Sequence, residues 1–179
     1  MRLCVFIRRP TTDDCPALLS LHCRSRDFYA PWVTPLLTEA DCMAYINRCQ
    51  RENIEGSLIC CKTTQKIVGV ANLSQIFYGP FQNAYLGYYA DVDFAGKGLM
   101  TEGMRLVIDH AFQKLRLHRL EANIQAGNTA SINLVKRLNF TKEGFSERYL
   151  KVNGKWRDHE RWALTVENWS SLLSTGLKK

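Results

Sequence analysis

Apolar and polar positions change period several times along this chain, and each change marks an element. Ala84 to Ala90 is an apolar run that reads as a buried strand. From Met100, the residues Met104, Val107, Ile108, Ala111, Phe112 and Leu115 recur at helical spacing, which predicts a long amphipathic helix. Glu102 lies in its first turn and Lys114 and Arg116 in its last, the sense a helix dipole favours. Leu120, Ala122 and Ile124 then alternate with Glu121, Asn123 and Gln125, so His118 to Gln125 predicts a half-buried strand. Asn128-Thr129-Ala130-Ser131 opens a second helix with Ile132, Val135 and Leu138 on one face. Asn139 ends it as a left-handed cap, and Phe140 resumes extended chain.

The flanking segments follow the same logic. Leu3 to Arg9 predicts the first strand. Thr12 caps a helix reaching about Arg24, and Thr38-Glu39-Ala40-Asp41 starts another to about Gln50 with capping-box spacing. Ser57 to Lys62 and Ile67 to Ile76 form a hairpin across Thr63 to Lys66. Thr141 to Val152 and Lys155 to Val166 form a longer one, whose Asn153-Gly154 is a strong hairpin-turn signal. Pattern alone therefore gives an α/β chain with some antiparallel pairing.

Composition narrows the class. A chain of 179 residues, 46% hydrophobic and without a Pro/Ser-rich linker or repeat, is expected to form one domain over 1–179. No apolar run approaches the roughly 18 residues of a membrane span, and Met1 to Pro10 is too short in apolar content for a signal peptide. All seven cysteines fall between Cys4 and Cys61, an odd set that suggests reduced thiols and a cytoplasmic setting. Cys42 and Cys49 have no His or carboxylate cluster to complete a metal site, so no metal is expected. The net charge of +7 is scattered rather than striped and comes with no RNA-binding aromatic motif, so sequence-specific nucleic-acid binding is not expected. Steering of an anionic coenzyme and approach to an RNA-rich partner both remain compatible with it.

The chemistry concentrates at Asp93-Phe94-Ala95-Gly96-Lys97-Gly98-Leu99-Met100-Thr101-Glu102. A glycine-rich turn between a strand and a helix N-terminus offers free N–H groups and the positive end of a dipole to a phosphate. A P-loop is excluded because Leu99 and Met100 follow Gly98 where Lys and Ser/Thr belong. A dinucleotide fingerprint fails because Thr101 stands at its third glycine. Ala95-Gly96-Lys97-Gly98-Leu99-Met100 resembles a third pattern, the pyrophosphate loop of the GNAT N-acetyltransferases, Q/R-x-x-G-x-G/A, from which Ala95 and Met100 depart.

The surrounding residues extend that likeness. Tyr85-Leu86-Gly87-Tyr88, Gly96-Lys97-Gly98-Leu99-Met100, Asn128-x-x-Ser131, Arg137-Leu138-x-Phe140-x-Lys142-Glu143-Gly144 and Gly154-x-Trp156-Arg157-Asp158-His159 resemble the RimJ/RimL-type acetyltransferases. Phe28-x-x-Pro31-Trp32 and Ile67-Val68-Gly69-Val70-Ala71-Asn72 carry the resemblance into the N-terminal half, and the details look most like the alanine-specific RimJ branch. This implies the GNAT acyl-CoA N-acyltransferase fold: a mixed, mostly antiparallel sheet splayed between strands 4 and 5 and flanked by helices. It implies acetyl-CoA as cosubstrate, with Tyr88, Tyr89 and Ala90 along the pantetheine, Ala95, Gly96, Lys97, Gly98, Leu99, Met100 and Thr101 around the pyrophosphate, and Asn128 and Ser131 on the pantetheine arm. Lys97 is equally well a solvated loop lysine, and Asn128 a helix cap.

The implied reaction is direct attack of a neutral amine on the thioester, with a backbone N–H near Tyr89 at the oxyanion. Many relatives protonate the thiolate from a tyrosine where this chain has Val135; the RimL-like alternative is Ser131, which is also an ordinary first-turn helix residue. Glu121 is the candidate base, with a salt bridge to Arg119 or Arg137 as its competing role; water relayed by Glu121 or Asn123 is the weaker requirement. An α-amine (pKa about 7.7–8.0) is easier to deprotonate than a lysine (about 10.4) by roughly 3.5 kcal/mol, so an N-terminal acceptor needs no strong base. Acceptor-pocket candidates are Phe28, Tyr29, Pro31, Trp32, Tyr149, Trp156, Asp158 and His159.

The expected partners are acetyl-CoA and a protein N-terminus, a ribosomal protein among the candidates, in a monomer or homodimer. Two other functions compete: a small-molecule acetyltransferase acting on a polyamine, aminoglycoside or amino acid, and a non-catalytic acetyl-CoA-binding factor on the ribosome. Only Asp27, Glu39 and Asp41 supply acid between Arg24 and Tyr45, which disfavours a polyamine.

Overall fold

The computed structural model describes residues 4–30 and 32–170. Leu3 and Pro31, which the sequence reading used, lie outside them. In chain order the elements are β1 (Val5–Arg8), α1 (Cys15–Arg24), α2 (Arg26–Tyr29), α3 (Glu39–Arg48), β2 (Ile54–Cys61), β3 (Ile67–Phe77), β4 (Asn83–Ala90), α4 (Leu99–Asp109), β5 (Arg119–Gln125), α5 (Thr129–Arg137), β6 (Thr141–Val152) and β7 (Lys155–Thr165).

The seven strands form one sheet in the order β1-β2-β3-β4-β5-β7-β6. Every neighbouring pair is antiparallel except β4–β5, which is parallel. Alternation along the strands sends side chains to two cores. Leu58 and Cys60 pack with Leu18, Leu21 and Ile46 of α1 and α3, while Ile59, Val68 and Leu73 pack with Met104, Val107 and Ile108 of α4 and Val135 of α5. Cys42 and Cys49 are buried in the first of these, and Val135 in the second. No group of three or more His, Cys, Asp or Glu among the described residues could hold a metal ion. No helix among them is long and apolar enough to cross a membrane.

The mixed sheet implied by the resemblance is present, and most element boundaries fall within a few residues of the periodicity. Three differ for physical reasons. The segment after Thr11 starts as a 3-10 turn (Thr12–Asp14), and α1 begins only at Cys15, with Pro16 in its first turn. The long amphipathic helix stops being α-helical at Asp109 and closes as a π-helical turn, His110–Lys114, which brings Ala111 and Phe112 onto the buried face. β4 is less buried than an apolar run suggests: Gly87 is exposed and Tyr88 to Ala90 are half-buried, because that end of the strand borders a cavity. The Asn153-Gly154 turn has both residues at positive φ (49° and 77°), the conformation predicted for it.

Candidate active site

The parallel pairing of β4 with β5 lasts three residues. Asn83 faces Arg119, Ala84 faces Leu120 and Tyr85 faces Glu121; beyond these the strands part. β3 keeps its ladder with β4 as far as Gly69–Ala90, and β7 keeps its ladder with β5 as far as Gln125–His159. The gap is therefore a wedge inside a continuous sheet, held open because each bordering strand is fixed on its other side. The backbone groups of Leu86, Tyr88 and Ala90 on β4 point into it without a partner strand, while those of Gly87 and Tyr89 face β3.

Two cavities meet in the wedge. The larger, 690 Å³, runs from Tyr88 to Ala90 past Phe94, Ala95, Gly96, Gly98, Met100 and Thr101, and is bounded opposite by Asn128, Ser131, Asn133 and Arg137. The smaller, 330 Å³, is lined by Thr34, Asn72, Leu86, Gly87, Asn123, Ile124, Gln125, Lys151, Val152 and His159. Trp32, Val33, Tyr88, Tyr89, Asn128 and Ser131 border both.

The phosphate loop has the geometry its sequence suggested. Asp91 caps a short 3-10 turn (Val92–Phe94), Ala95 is extended, and Gly96 and Gly98 adopt φ of 73° and 77°. Gly98 is the N-cap of α4, so the N–H groups of Leu99, Met100 and Thr101 have no helical acceptor and make no other backbone bond. A Cβ on either glycine would meet no protein atom within 4 Å; the constraint is the left-handed backbone together with the space a phosphate needs. Two expected contributors sit elsewhere. Lys97 bends back, its Nζ donating to the Asp93 carbonyl (2.7 Å) above the Phe94 ring, and Leu99 packs against the core; neither lines the cavity. Arg137, with no ion pair among the described residues, supplies positive charge to the larger chamber instead.

The loop is anchored by a pair that periodicity could not reveal. Asp91 is fully buried and forms a two-point ion pair with Arg24 of α1, while Val92 N–H donates to Ser25 Oγ (3.1 Å). Beneath β4, the Tyr89 hydroxyl bonds His22 Nε2 (3.1 Å), and Tyr29 packs edge-on against both rings. Burial lowers the His22 imidazole from 6.5 to about 4, so it is neutral there.

At the junction of the chambers Ser131 Oγ donates to the Tyr88 hydroxyl (2.7 Å), and that hydroxyl lies 3.2 Å from the Ser131 carbonyl, to which it donates. Burial pushes the Tyr88 phenol up to about 12 and keeps it protonated. Asn128 Oδ1 accepts the Ser131 N–H (3.1 Å), so its capping role is present, and the side chain still borders both chambers.

Other expectations need correction. Glu121 lies at the closed end of the wedge, on the last paired rung, and lines neither chamber. Arg119 binds it (2.8 Å) and also holds Glu143, so the competing salt bridge is what the carboxylate makes. Of the hairpin aromatics and acids only His159 reaches a cavity. Trp156 is 61% exposed, Asp158 accepts the Arg148 N–H (2.8 Å), and Tyr149 packs edge-on against His159 without lining either chamber. Phe28 and Tyr29 border the larger chamber, whereas Trp32 borders both.

A pocket of this length, with a phosphate-accepting helix terminus at one end and unpaired strand backbone along its side, fits the acetyl-CoA implied by the sequence. Comparison with known proteins agrees. Residues 5–141 match the acetyltransferase (GNAT) domain family. The chain is 33% identical to the ribosomal protein uS5-alanine N-acetyltransferase of Escherichia coli over 88% of this chain and 85% of that one. It is 31% identical to the probable N-acetyltransferase YjcK of Bacillus subtilis, over 89% and 93% respectively. The structure of Mycobacterium smegmatis RimJ in complex with CoA-disulfide superposes with a TM-score of 0.86 at 24% identity, covering 96% of this chain and 89% of that one, a likeness of fold.

Proposed function

We propose, from the premise that this chain belongs to the GNAT acetyltransferase family and is an acetyl-CoA-dependent N-acetyltransferase, that its acceptor is the α-amine of a protein N-terminus. Alanine at the N-terminus of a ribosomal protein is the acceptor we favour. The observation that carries this reading is the lining of the smaller chamber. Its charged residue is Lys151, and no Asp or Glu among the described residues lines it. A polyamine would bring two or more cations into that chamber with no carboxylate to compensate them, at a large desolvation cost. A peptide brings one amine and a chain of amides, which Asn72, Asn123 and Gln125 suit. Similarity to the uS5-alanine enzyme supports the same choice.

In this reading Tyr88 to Ala90 pair with the pantetheine amides and the Gly96–Thr101 N–H groups hold the pyrophosphate, with Arg137 adding charge. Bound acetyl-CoA supplies the activated acyl group. A wedge-facing N–H beside Tyr89, that of Tyr88 or Ala90, stabilises the developing oxyanion. Ser131 Oγ, at the junction of the chambers, gives its proton to the leaving thiolate. The seven free cysteines fit a reducing cytoplasm.

A competition assay tests the acceptor class. Peptides beginning with Ala, Ser or Met, an N-blocked peptide with an internal lysine, and spermidine are supplied together with acetyl-CoA. The alanine peptide should be acetylated at least tenfold faster than the blocked peptide or spermidine; equal rates would reassign the enzyme to small amines.

A further inference from the structure

We infer that His159 is the base that takes the proton of the attacking amine. This rests on the acetyltransferase reading above, but on any amine acceptor rather than on a protein N-terminus in particular.

His159 sits on β7 opposite Gln125, at the open end of the wedge. Its side chain is almost entirely buried, at 3% exposure, yet it lines the smaller chamber. Nδ1 lies 2.9 Å from the Arg157 carbonyl, which can only accept, so Nδ1 carries the proton of the neutral ring. Nε2 is then the lone-pair nitrogen, and it has no partner among the described residues. Tyr149 packs edge-on against the ring at 6.0 Å and restrains its rotation. A fixed tautomer, a restrained ring and an unpartnered lone pair on a residue that lines a substrate-sized chamber are what a general base requires.

The other groups around the chamber cannot take the role. Lys151 is a cation, and Tyr88 and Tyr89 are protonated phenols because burial raises both. Glu121 is outside and held by Arg119. Asn123 contributes differently: its Oδ1 is buried without a hydrogen-bond partner and borders the same space, so it can accept a second N–H of the amine and aim the nitrogen.

The ammonium proton passes to Nε2, and the freed nitrogen pair forms the C–N bond at the thioester carbonyl. As the C–S bond breaks, Ser131 Oγ gives its proton to the thiolate and is reprotonated by the second proton that the acetylated nitrogen sheds, and the imidazolium returns its proton to water.

The test uses His159→Asn, whose amide can keep the bond to the Arg157 carbonyl while removing the base. Acetyl transfer is followed from pH 6 to 9.5 on both an alanine peptide and spermidine, so the base is read whichever acceptor the enzyme prefers. On the preferred acceptor at pH 7, kcat should fall about 10²-fold and the KM for acetyl-CoA should stay within twofold; on the alanine peptide the loss should shrink to less than tenfold above pH 9, where its α-amine is neutral unaided. In ¹⁵N-labelled wild type, the His159 ring should show the Nδ1-protonated tautomer, and its Nε2 signal should move when the alanine peptide binds. An unchanged kcat on the preferred acceptor, or a loss of the same size at every pH on the alanine peptide, would overturn the assignment. A preference for spermidine would instead overturn the acceptor reading and leave the base in place.

Discussion

Ser131 and Tyr88 hold each other through two hydrogen bonds: the serine hydroxyl donates to the phenol at 2.7 Å, and the phenol donates to the serine carbonyl at 3.2 Å. The second bond means that the phenol stays satisfied when the serine hydroxyl turns away to a thiolate. Ser131→Ala should therefore lower kcat about 10²-fold, with CoA affinity near wild type. Tyr88→Phe should lower it less, and the double variant should be no worse than Ser131→Ala alone, because both act on one proton. Steady-state kinetics and calorimetry check the set; a fully active alanine variant would move the acid to water.

Gly98 makes the phosphate loop sensitive to any side chain. Gly98→Val should weaken CoA binding at least tenfold by calorimetry. Since its Cβ would meet no protein atom, the folding cost is confined to the left-handed backbone, about 1–2 kcal/mol. Gly79, at φ 74° in the β3–β4 turn and equally open, is the control: Gly79→Val should show the same loss of thermal stability with unchanged CoA affinity.

Asp91→Asn should loosen the same loop from beneath. The carboxylate is buried, whereas the Arg24 side chain is 34% exposed and keeps Ser20 and Asp93 as partners. The expected destabilisation is about 2 kcal/mol, below that of a fully enclosed pair. CoA affinity should fall severalfold while KM for the acceptor is little changed, since Asp91 touches only the coenzyme side.

His22 should make the protein acid-sensitive before its carboxylates titrate. The unfolded imidazole takes up a proton near pH 6.5, the native one only near 4, so proton uptake favours the unfolded chain as pH falls between these values. This group should remove about 3 kcal/mol of stability across that window, and its share of the loss is complete below it. Denaturant titrations at several pH values measure the slope, and His22→Phe should flatten it even though the bond to Tyr89 is lost.

Much of this protein follows from local pattern. The strands and helices, the two-residue turn at Asn153-Gly154 and the strand–glycine–helix order around Gly98 depend on nearest-neighbour sterics, so the chain alone determines them. The same is true of Asn128, whose capping bond to Ser131 spans three residues. What only the tertiary structure decided are relations between distant residues. β4 and β5 are consecutive strands, but nothing in their residues says that pairing ends after Tyr85 and Glu121; the ladders with β3 and β7 impose it. That one rung removes Glu121 from the chemistry and leaves Asn123 and Gln125 facing the gap. The Arg24–Asp91 pair, 67 residues apart, and the turn of Lys97 away from the phosphate site are likewise invisible to periodicity. His159 appears in the sequence as one of several polar hairpin residues. Its tautomer comes from a backbone carbonyl two residues away, and its place at the chamber from segments far apart in the chain, because burial and hydrogen bonding, rather than residue type, set what an imidazole can do.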